Sequence, residues 1–235
     1  MKTVDINCKG YSVKADVYEG DQSSPILLSL IGRTSNRKRR QYSNFFPRVA
    51  SDLGITTVIF DYSGHGDSPF DLAELCNAQH SLEVITVYDW IAAHYPNRKI
   101  FVLGSSYGCY MAARLYNFRK VEGIIFRAPA IYDSDEFYTK MKDENQANTD
   151  AFRKNSDMMR SHPYFRNAKR LNGRVLVVVH EDDEQIPKEV TDVYSKVFEG
   201  ETVIAKGYKH SLNDSNDEEV ENYNEIIFDW LKQNT

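Results

Sequence analysis

A serine lies midway between two glycines in the segment Gly104-Ser105-Ser106-Tyr107-Gly108. The segment follows "KIFVLG", which reads as a buried strand, and opens "GCYMAARLYNF", whose apolar residues recur at helical spacing. A turn this sharp between strand and helix strains the serine backbone and leaves no room for side chains at the two glycine positions. Ser106 is the midpoint of the G-x-S-x-G pattern and Ser105 is not, so we predict Ser106 as a nucleophile.

A serine hydroxyl needs a base to take its proton, usually histidine, and a carboxylate to hold the imidazole. The six histidines of the chain are His65, His80, His94, His162, His180 and His210. His94 falls late in a predicted helix and His162 in a long insertion, so both are expected at the surface. His210 lies in "KGYKHSLND", between the last predicted strand and the last predicted helix. This is the loop in which the chain order Ser, acid, His of α/β-hydrolases, whose G-x-S-x-G turn the segment at Ser106 resembles, places the base.

The acid is expected in "VVHEDDEQIP", which follows the penultimate predicted strand. This stretch offers four consecutive candidates, Glu181, Asp182, Asp183 and Glu184. An acidic run is usually a solvated loop, so at most one of the four has a catalytic role. The residue types alone leave the choice among them open.

Alternating strands and helices would position these three loops. The first twenty residues alternate polar and apolar around "CKGY", as a β-hairpin does. The apolar runs "ILLSLI", "ITTVIF", "KIFVLG", "VEGIIFRAP", "RVLVVVH" and "ETVIAK" then alternate with helical patterns. This order predicts a mostly parallel sheet covered by helices on both faces.

A long insertion, at about 132–170, interrupts the alternation between the sixth and seventh predicted strands. One interpretation is a pair of solvated helices with a narrow apolar stripe. The other is a small cap over a pocket. In the second case its aromatic and methionine side chains would line an acyl pocket, with Phe137, Tyr138 and Met141 as the predicted substrate-binding residues and Met158 and Phe165 as further candidates.

Composition limits the classes of function. With 235 residues and 41% hydrophobic content, residues 1–235 are expected to form one domain. A net charge of −5 gives no general attraction to nucleic acid or to anionic membranes, so neither is predicted as a partner. Three widely spaced cysteines and an N-terminus without a signal-peptide pattern predict a cytoplasmic location. Nucleophilic attack by a serine with a histidine base and a carboxylate needs no metal and no organic cofactor, so neither is predicted.

Four segments resemble those of α/β-hydrolase-fold serine hydrolases, among them small esterases, thioesterases and monoglyceride-lipase-like members. These are "LLSLIGRTSN", "VIFDYSGHGDS", "VLGSSYGCYMA", and "VVVHEDDEQIP" taken together with "KHS". Members of the family usually read Gly-x-x-Asp-x-x-x-Pro in the acid loop. Aligning Pro187 to that pattern implies Asp183 as the acid, although His180 then replaces the glycine and Asp182 is the alternative.

The resemblance also implies an oxyanion hole formed by the backbone amides of Tyr107 and Arg33. Relatives commonly have His-Gly-x where this chain has Ile31-Gly32-Arg33. His65, in "GHGDS", is implied to be structural. Overall, the resemblance implies an eight-stranded, mostly parallel sheet with helices on both faces and a small cap between strands 6 and 7.

The predicted reaction is hydrolysis of a carboxylic ester of a small or acyl-chain substrate, through Ser106, His210 and Asp183. A thioesterase or an amidase on the same residues is an alternative, as is a catalytically silent protein that binds a ligand in the same pocket. A basic cluster, formed by Arg33, Arg37, Lys38, Arg39 and Arg40, adds a question about the substrate. It is either a solvated face or a site for a substrate carboxylate or phosphate, with Arg33 nearest the chemistry.

Overall fold

The computed structural model describes residues 1–171 and 174–235, and these residues form one sheet of eight strands. The strands are β1 (Lys2–Asn7), β2 (Ser12–Tyr18), β3 (Ile26–Leu30), β4 (Thr56–Phe60), β5 (Ile100–Ser105), β6 (Gly123–Arg127), β7 (Val175–His180) and β8 (Glu201–Ala205). Their order in the sheet is β1-β2-β4-β3-β5-β6-β7-β8. β2 runs antiparallel to both β1 and β4, and the other neighbouring strands are parallel. The prediction of an eight-stranded, mostly parallel sheet is confirmed.

The central strands are buried along their whole length and are mostly apolar, because helices cover both of their faces. Every residue of β3, β4, β5 and β6 is buried. In the edge strand β8, by contrast, only Ala205 is buried. Continuous apolar runs are typical of strands in a sheet that is packed on both sides.

Helices connect the parallel strands and close the chain. They are α1 (Arg40–Ser43), α2 (Phe45–Asp52), α3 (Asn77–His94), α4 (Tyr107–Leu115), α5 (Gln146–Arg153), α6 (Ser156–Arg160), α7 (Lys188–Phe198) and α8 (Asp217–Asn234). A capping box between Asn216 and Glu219 begins α8. Among the helices of the described residues, none combines the length and the apolar character that crossing a membrane requires.

The insertion between β6 and β7 carries α5, α6 and several short 3-10 helices, and it packs closely on the rest of the molecule. Tyr164 accepts a hydrogen bond from the Arg114 guanidinium of α4 at 2.9 Å, and Phe165 packs against Tyr194 and Phe198 of α7. The expectation that His162 lies at the surface is wrong. Its ring is buried, because the aromatic side chains of the insertion enclose it.

We expect the free energy of unfolding to fall as the pH drops from about 6.5 towards 4, because three buried histidines remain neutral in the folded state. Burial lowers the pKa of His80 and of His180 to about 3 and that of His162 to about 4, from an ordinary value of 6.5. In this range the unfolded chain binds protons that the folded chain does not. Each histidine then lowers the free energy of unfolding by up to about 1.4 kcal/mol per pH unit.

Urea unfolding at about pH 7.5 and about pH 5 measures this effect. His162→Gln should reduce the difference between the two free energies, whereas the matched change at the exposed His94, His94→Gln, should leave it as in the wild type. Equal free energies of unfolding at the two pH values would contradict the prediction.

Candidate active site

Ser106 occupies a strained turn between β5 and α4. Its φ is 51° and its ψ is −111°, a conformation that a residue with a side chain rarely adopts. Backbone hydrogen bonds stabilise this strained conformation. The Ser106 amide donates to the Arg127 carbonyl at 2.9 Å, and the Ser106 carbonyl accepts from the amides of Cys109 (2.9 Å) and Ala130 (3.2 Å). The turn therefore presents the Ser106 side chain at the carboxyl edge of the sheet.

The two flanking glycines are required because other backbone passes close to them. A Cβ atom at Gly104 would lie 2.7 Å from the backbone nitrogen of Cys109, and one at Gly108 would lie 2.0 Å from the Leu30 carbonyl oxygen. Neither contact is possible without moving β3 or α4. The glycine spacing in the sequence thus indicates that β3 and α4 approach the Ser106 turn closely.

A continuous chain of hydrogen bonds joins Ser106, His210 and Asp183. The Ser106 Oγ is 2.9 Å from His210 Nε2, and His210 Nδ1 is 2.7 Å from Asp183 Oδ2. The three residues follow β5, β8 and β7, whose carboxyl ends meet at one edge of the sheet. With Nδ1–H donating to the carboxylate, Nε2 is left to accept the Ser106 hydroxyl proton.

The Asp183 carboxylate is held from two sides. Its other oxygen, Oδ1, accepts hydrogen bonds from the amides of Gln185 and Ile186, both at 2.9 Å. Burial raises the pKa of this carboxyl, but the hydrogen bonds and charge attraction from His210, together with the two amides, leave its pKa below the usual range. Asp183 is therefore ionised near neutral pH.

The structure distinguishes the four consecutive acids of this loop. The Asp183 carboxylate contacts the imidazole, whereas the Asp182 side chain is exposed and its amide donates to the Tyr208 carbonyl at 3.1 Å. Glu184 accepts a hydrogen bond from the His210 amide at 3.2 Å, and Glu181 accepts one from the Gly207 amide at 3.0 Å. The neighbours of Asp183 thus hold the backbone of the loops that carry His210.

The amides of Arg33 and Tyr107 are placed on the loop after β3 and at the first residue of α4. Within residues 1–171 and 174–235, neither amide donates to a backbone or side-chain acceptor. His65 Nε2 contacts the Arg33 carbonyl, so this ring supports the loop in which Ile31 replaces the usual histidine. Both amides are available to a substrate oxygen.

Carboxylates match most charges of the basic cluster. Arg33 forms a two-pronged ion pair with Glu144 of the insertion. The remaining pairs are Arg37 with Asp16, Asp61 and Asp67, Lys38 with Asp67, and Arg40 with Asp217. The Arg33 guanidinium also stacks on Tyr132, at 4.3 Å from the ring centroid. Its side chain thus fastens the insertion to the loop after β3.

A cavity of about 540 Å³ opens on Ser106. The insertion lines it with polar and charged groups, namely Tyr132, Glu144, Gln146, Thr149 and Arg153. Phe137, Tyr138 and Met141, the predicted substrate-binding residues, lie outside this lining. Phe137 is buried, and the guanidinium carbon of Arg114 lies 4.2 Å from the centroid of its ring. Tyr138 is 80% exposed, and Met141 is partly buried against the core. Sequence reasoning missed the polar lining because these residue types are equally typical of a solvated surface.

No group of three or more histidine, cysteine, aspartate or glutamate side chains in the described part of the chain could hold a metal ion.

Comparison with known proteins agrees with this architecture. The family model described as "Serine aminopeptidase, S33" matches residues 36–172, which is more than half of the chain. Lysophosphatidylserine lipase ABHD12 of Gallus gallus is 31% identical over 93 residues, which cover 40% of this chain and 23% of the lipase. The same lipase of Rattus norvegicus is 33% identical over 94 residues, 39% and 22% of the two chains. The match thus spans less than a quarter of these relatives' length.

Two solved structures resemble the whole chain. Est1E from Butyrivibrio proteoclasticus, with ferulic acid bound, has a TM-score of 0.74 at 16% identity and covers 98% of both chains. A predicted CIB-like hydrolase from Thermoplasma acidophilum has a TM-score of 0.70 at 17% identity and covers 99% of this chain and 98% of its own. At these identities the likeness shows a shared fold.

Proposed function

Because this chain belongs to the serine aminopeptidase S33 family of α/β-hydrolase-fold serine hydrolases, we propose that it hydrolyses a carboxylic ester with Ser106 as the nucleophile. The observation that carries the proposal is the unbroken hydrogen-bond chain from Ser106 through His210 to Asp183, at 2.9 and 2.7 Å. A protein that only bound a ligand would have no need of all three groups in this order.

The proposed reaction is a two-step acyl transfer. Ser106 Oγ attacks the ester carbonyl carbon while His210 Nε2 takes the hydroxyl proton, and the Asp183 carboxylate stabilises the imidazolium. The amides of Tyr107 and Arg33 donate to the oxyanion. The intermediate then breaks the bond to the alcohol oxygen, which receives the proton from His210. Water, activated by the same imidazole, releases the acid and restores Ser106.

The charges of the cavity favour an ester over the free N-terminus of a peptide. An aminopeptidase has to bind the cationic α-amino group of its substrate, which requires an unpaired carboxylate near the nucleophile. The cavity is lined by a single carboxylate, Glu144, and Arg33 already neutralises it. A thioester has the same acyl chemistry as an ester and no cationic group, so thioester hydrolysis is the second candidate.

The insertion at 132–170 serves in this proposal as a cap within a single domain of residues 1–235. Tyr132, Glu144 and Arg153 of the insertion form one wall of the cavity, and the Arg33–Glu144 ion pair joins that wall to the loop after β3. The cap thereby limits the space available to the substrate.

A fluorophosphonate probe is expected to label the folded protein at one serine. The probe reacts with serines that a neighbouring base activates, so peptide mass spectrometry should locate the adduct on Ser106. Protein denatured before exposure is the control and should remain unlabelled, because unfolding separates Ser106 from His210. Absence of an adduct on folded protein would overturn the proposed function. Matched ester, thioester and amide substrates with one acyl group would then rank the reactions.

A further inference from the structure

The cavity at Ser106 has a positive charge that the proposed mechanism does not use. Four arginines, Arg33, Arg39, Arg127 and Arg153, line it with Glu144 as the one acidic residue, in a chain whose net charge is −5. Glu144 compensates Arg33, and Arg39 donates to the Asn213 side-chain oxygen at 2.6 Å and to the Thr34 carbonyl at 2.7 Å. Arg127 and Arg153 remain to be explained.

Arg153 is a buried cation without a carboxylate partner among the described residues. It is the last residue of α5 and is 5% exposed. Its Nε donates to the Ile131 carbonyl at 3.0 Å, and its guanidinium carbon lies 4.8 Å from the centroid of the Tyr132 ring. Burying a guanidinium without a counter-charge is costly, and the bond at Nε leaves the terminal nitrogens for a further acceptor.

Arg127, at the end of β6, is 6% exposed, and its Nε is buried without an acceptor in the part of the chain that the structure describes. Its guanidinium lies against the Tyr223 ring, with 4.9 Å from the guanidinium carbon to the centroid. The buried hydroxyls of Ser35 and Tyr42 also lack partners among the described residues, and both residues line the same cavity. Buried polar groups are rarely left unpaired, and these three belong to residues that line the cavity.

We propose that the substrate carries an anionic oxygen group, a carboxylate or a phosphate, that this cavity binds while Ser106 attacks the ester. The Arg153 side chain is the main group that binds the anion, since its planar guanidinium can donate hydrogen bonds to two oxygens of either a carboxylate or a phosphate. Arg127 adds positive charge to the same cavity. The inference rests on the proposed function and names its substrate class. It also moves the anion site away from Arg33, whose charge Glu144 already neutralises.

The first experiment compares matched substrates on the wild-type enzyme. The umbelliferyl half-ester of adipic acid carries a terminal carboxylate, and its terminal carboxamide is a neutral isostere. A terminal phosphonate of the same chain length distinguishes phosphate-like from carboxylate recognition. We expect kcat/KM to be about 10- to 100-fold higher for an anionic ester than for the carboxamide, as for charge-assisted hydrogen bonds in a buried site. Equal values for all three esters would overturn the inference.

Substitutions then assign the preference to Arg153. Arg153→Gln should reduce the ratio of anionic to neutral kcat/KM to near unity, and Arg153→Lys should restore part of it. Arg160→Gln is the matched control, because Arg160 lies in the same insertion, pairs with Asp157 on the surface, and is absent from the cavity lining. A ratio that Arg153→Gln leaves at the wild-type value would refute the assignment.

A binding measurement separates this inference from the proposed function. Titration calorimetry of Ser106→Ala with adipate or phenylphosphonate requires no catalysis, and we expect binding that Arg153→Gln in the same background weakens by about 10-fold or more. Probe labelling of Ser106 combined with no anion binding would refute the anion site and leave the proposed hydrolase function standing. Anion binding without labelling would do the reverse.

Discussion

Ser106→Ala is expected to lower kcat/KM for a carboxylic ester by at least about 10⁴-fold and to abolish fluorophosphonate labelling. The attacking oxygen is lost, so His210 has no hydroxyl to deprotonate and no acyl-enzyme forms. The residual rate comes from substrate binding and from the amides of Tyr107 and Arg33. Alanine fits the space of serine, so the thermal midpoint should stay close to that of the wild type.

Ser105→Ala is the matched control for the first prediction. Ser105 is the preceding residue in the chain, and it is the Oγ of Ser106 that contacts His210 Nε2. Ser105→Ala should therefore retain probe labelling. Loss of labelling in Ser105→Ala, with labelling kept in Ser106→Ala, would show that the nucleophile has been assigned to the wrong serine.

Asp183→Asn is expected to lower kcat by about 10⁴-fold while the fold is retained. The amide side chain presents a donor to His210 Nδ1, which favours the tautomer with the proton on Nε2, and that nitrogen can then no longer accept the Ser106 proton. The lost negative charge also leaves the imidazolium unstabilised. Steady-state kinetics at neutral pH measure the loss, and circular dichroism checks the fold.

Asp182→Asn makes the same chemical change one residue earlier, on an exposed side chain that the structure does not place at the imidazole. We expect its kcat to stay within about twofold of the wild type, as for surface substitutions remote from the chemistry. Equal losses in the two variants would mean that charge in the loop as a whole, and not the contact of Asp183 with His210, supports the reaction. Because the hydrogen bonds and charge of His210 and the two backbone amides lower the pKa of Asp183, its carboxylate stays ionised at the neutral pH of this comparison.

The close backbone packing around Ser106 made it possible to predict this residue as the nucleophile from the sequence. Gly104 and Gly108 are needed because a side chain at either position would meet neighbouring backbone, and that requirement is visible as a fixed spacing. The parallel sheet could be predicted for a similar reason, since strands buried on both faces are mostly apolar. The chain order Ser, acid, His of the family that the sequence resembles then directed attention to the loops after β7 and β8, which contain Asp183 and His210.

Long-range pairing decided what the sequence left open. Glu144 lies 111 residues from Arg33 in the chain, yet their ion pair fastens the insertion and removes Arg33 from the set of unpaired cations. The side-chain types in the insertion predicted an apolar pocket from Phe137 and Tyr138. Packing instead buried the first under Arg114 and left the second exposed.

The sequence by itself determined the sheet, the strained turn at Ser106 and the candidate partners of Ser106, because each depends on short-range geometry or on apolar periodicity. The tertiary structure alone decided which arginines at the cavity lack a counter-charge, and it brings Asp183, the acid that the alignment to Pro187 implied, into contact with the imidazole. Those facts depend on distances between residues far apart in the chain. A guanidinium next to a carboxylate and one without a partner have the same letter in a sequence, and they differ in chemistry only once the chain has folded around them.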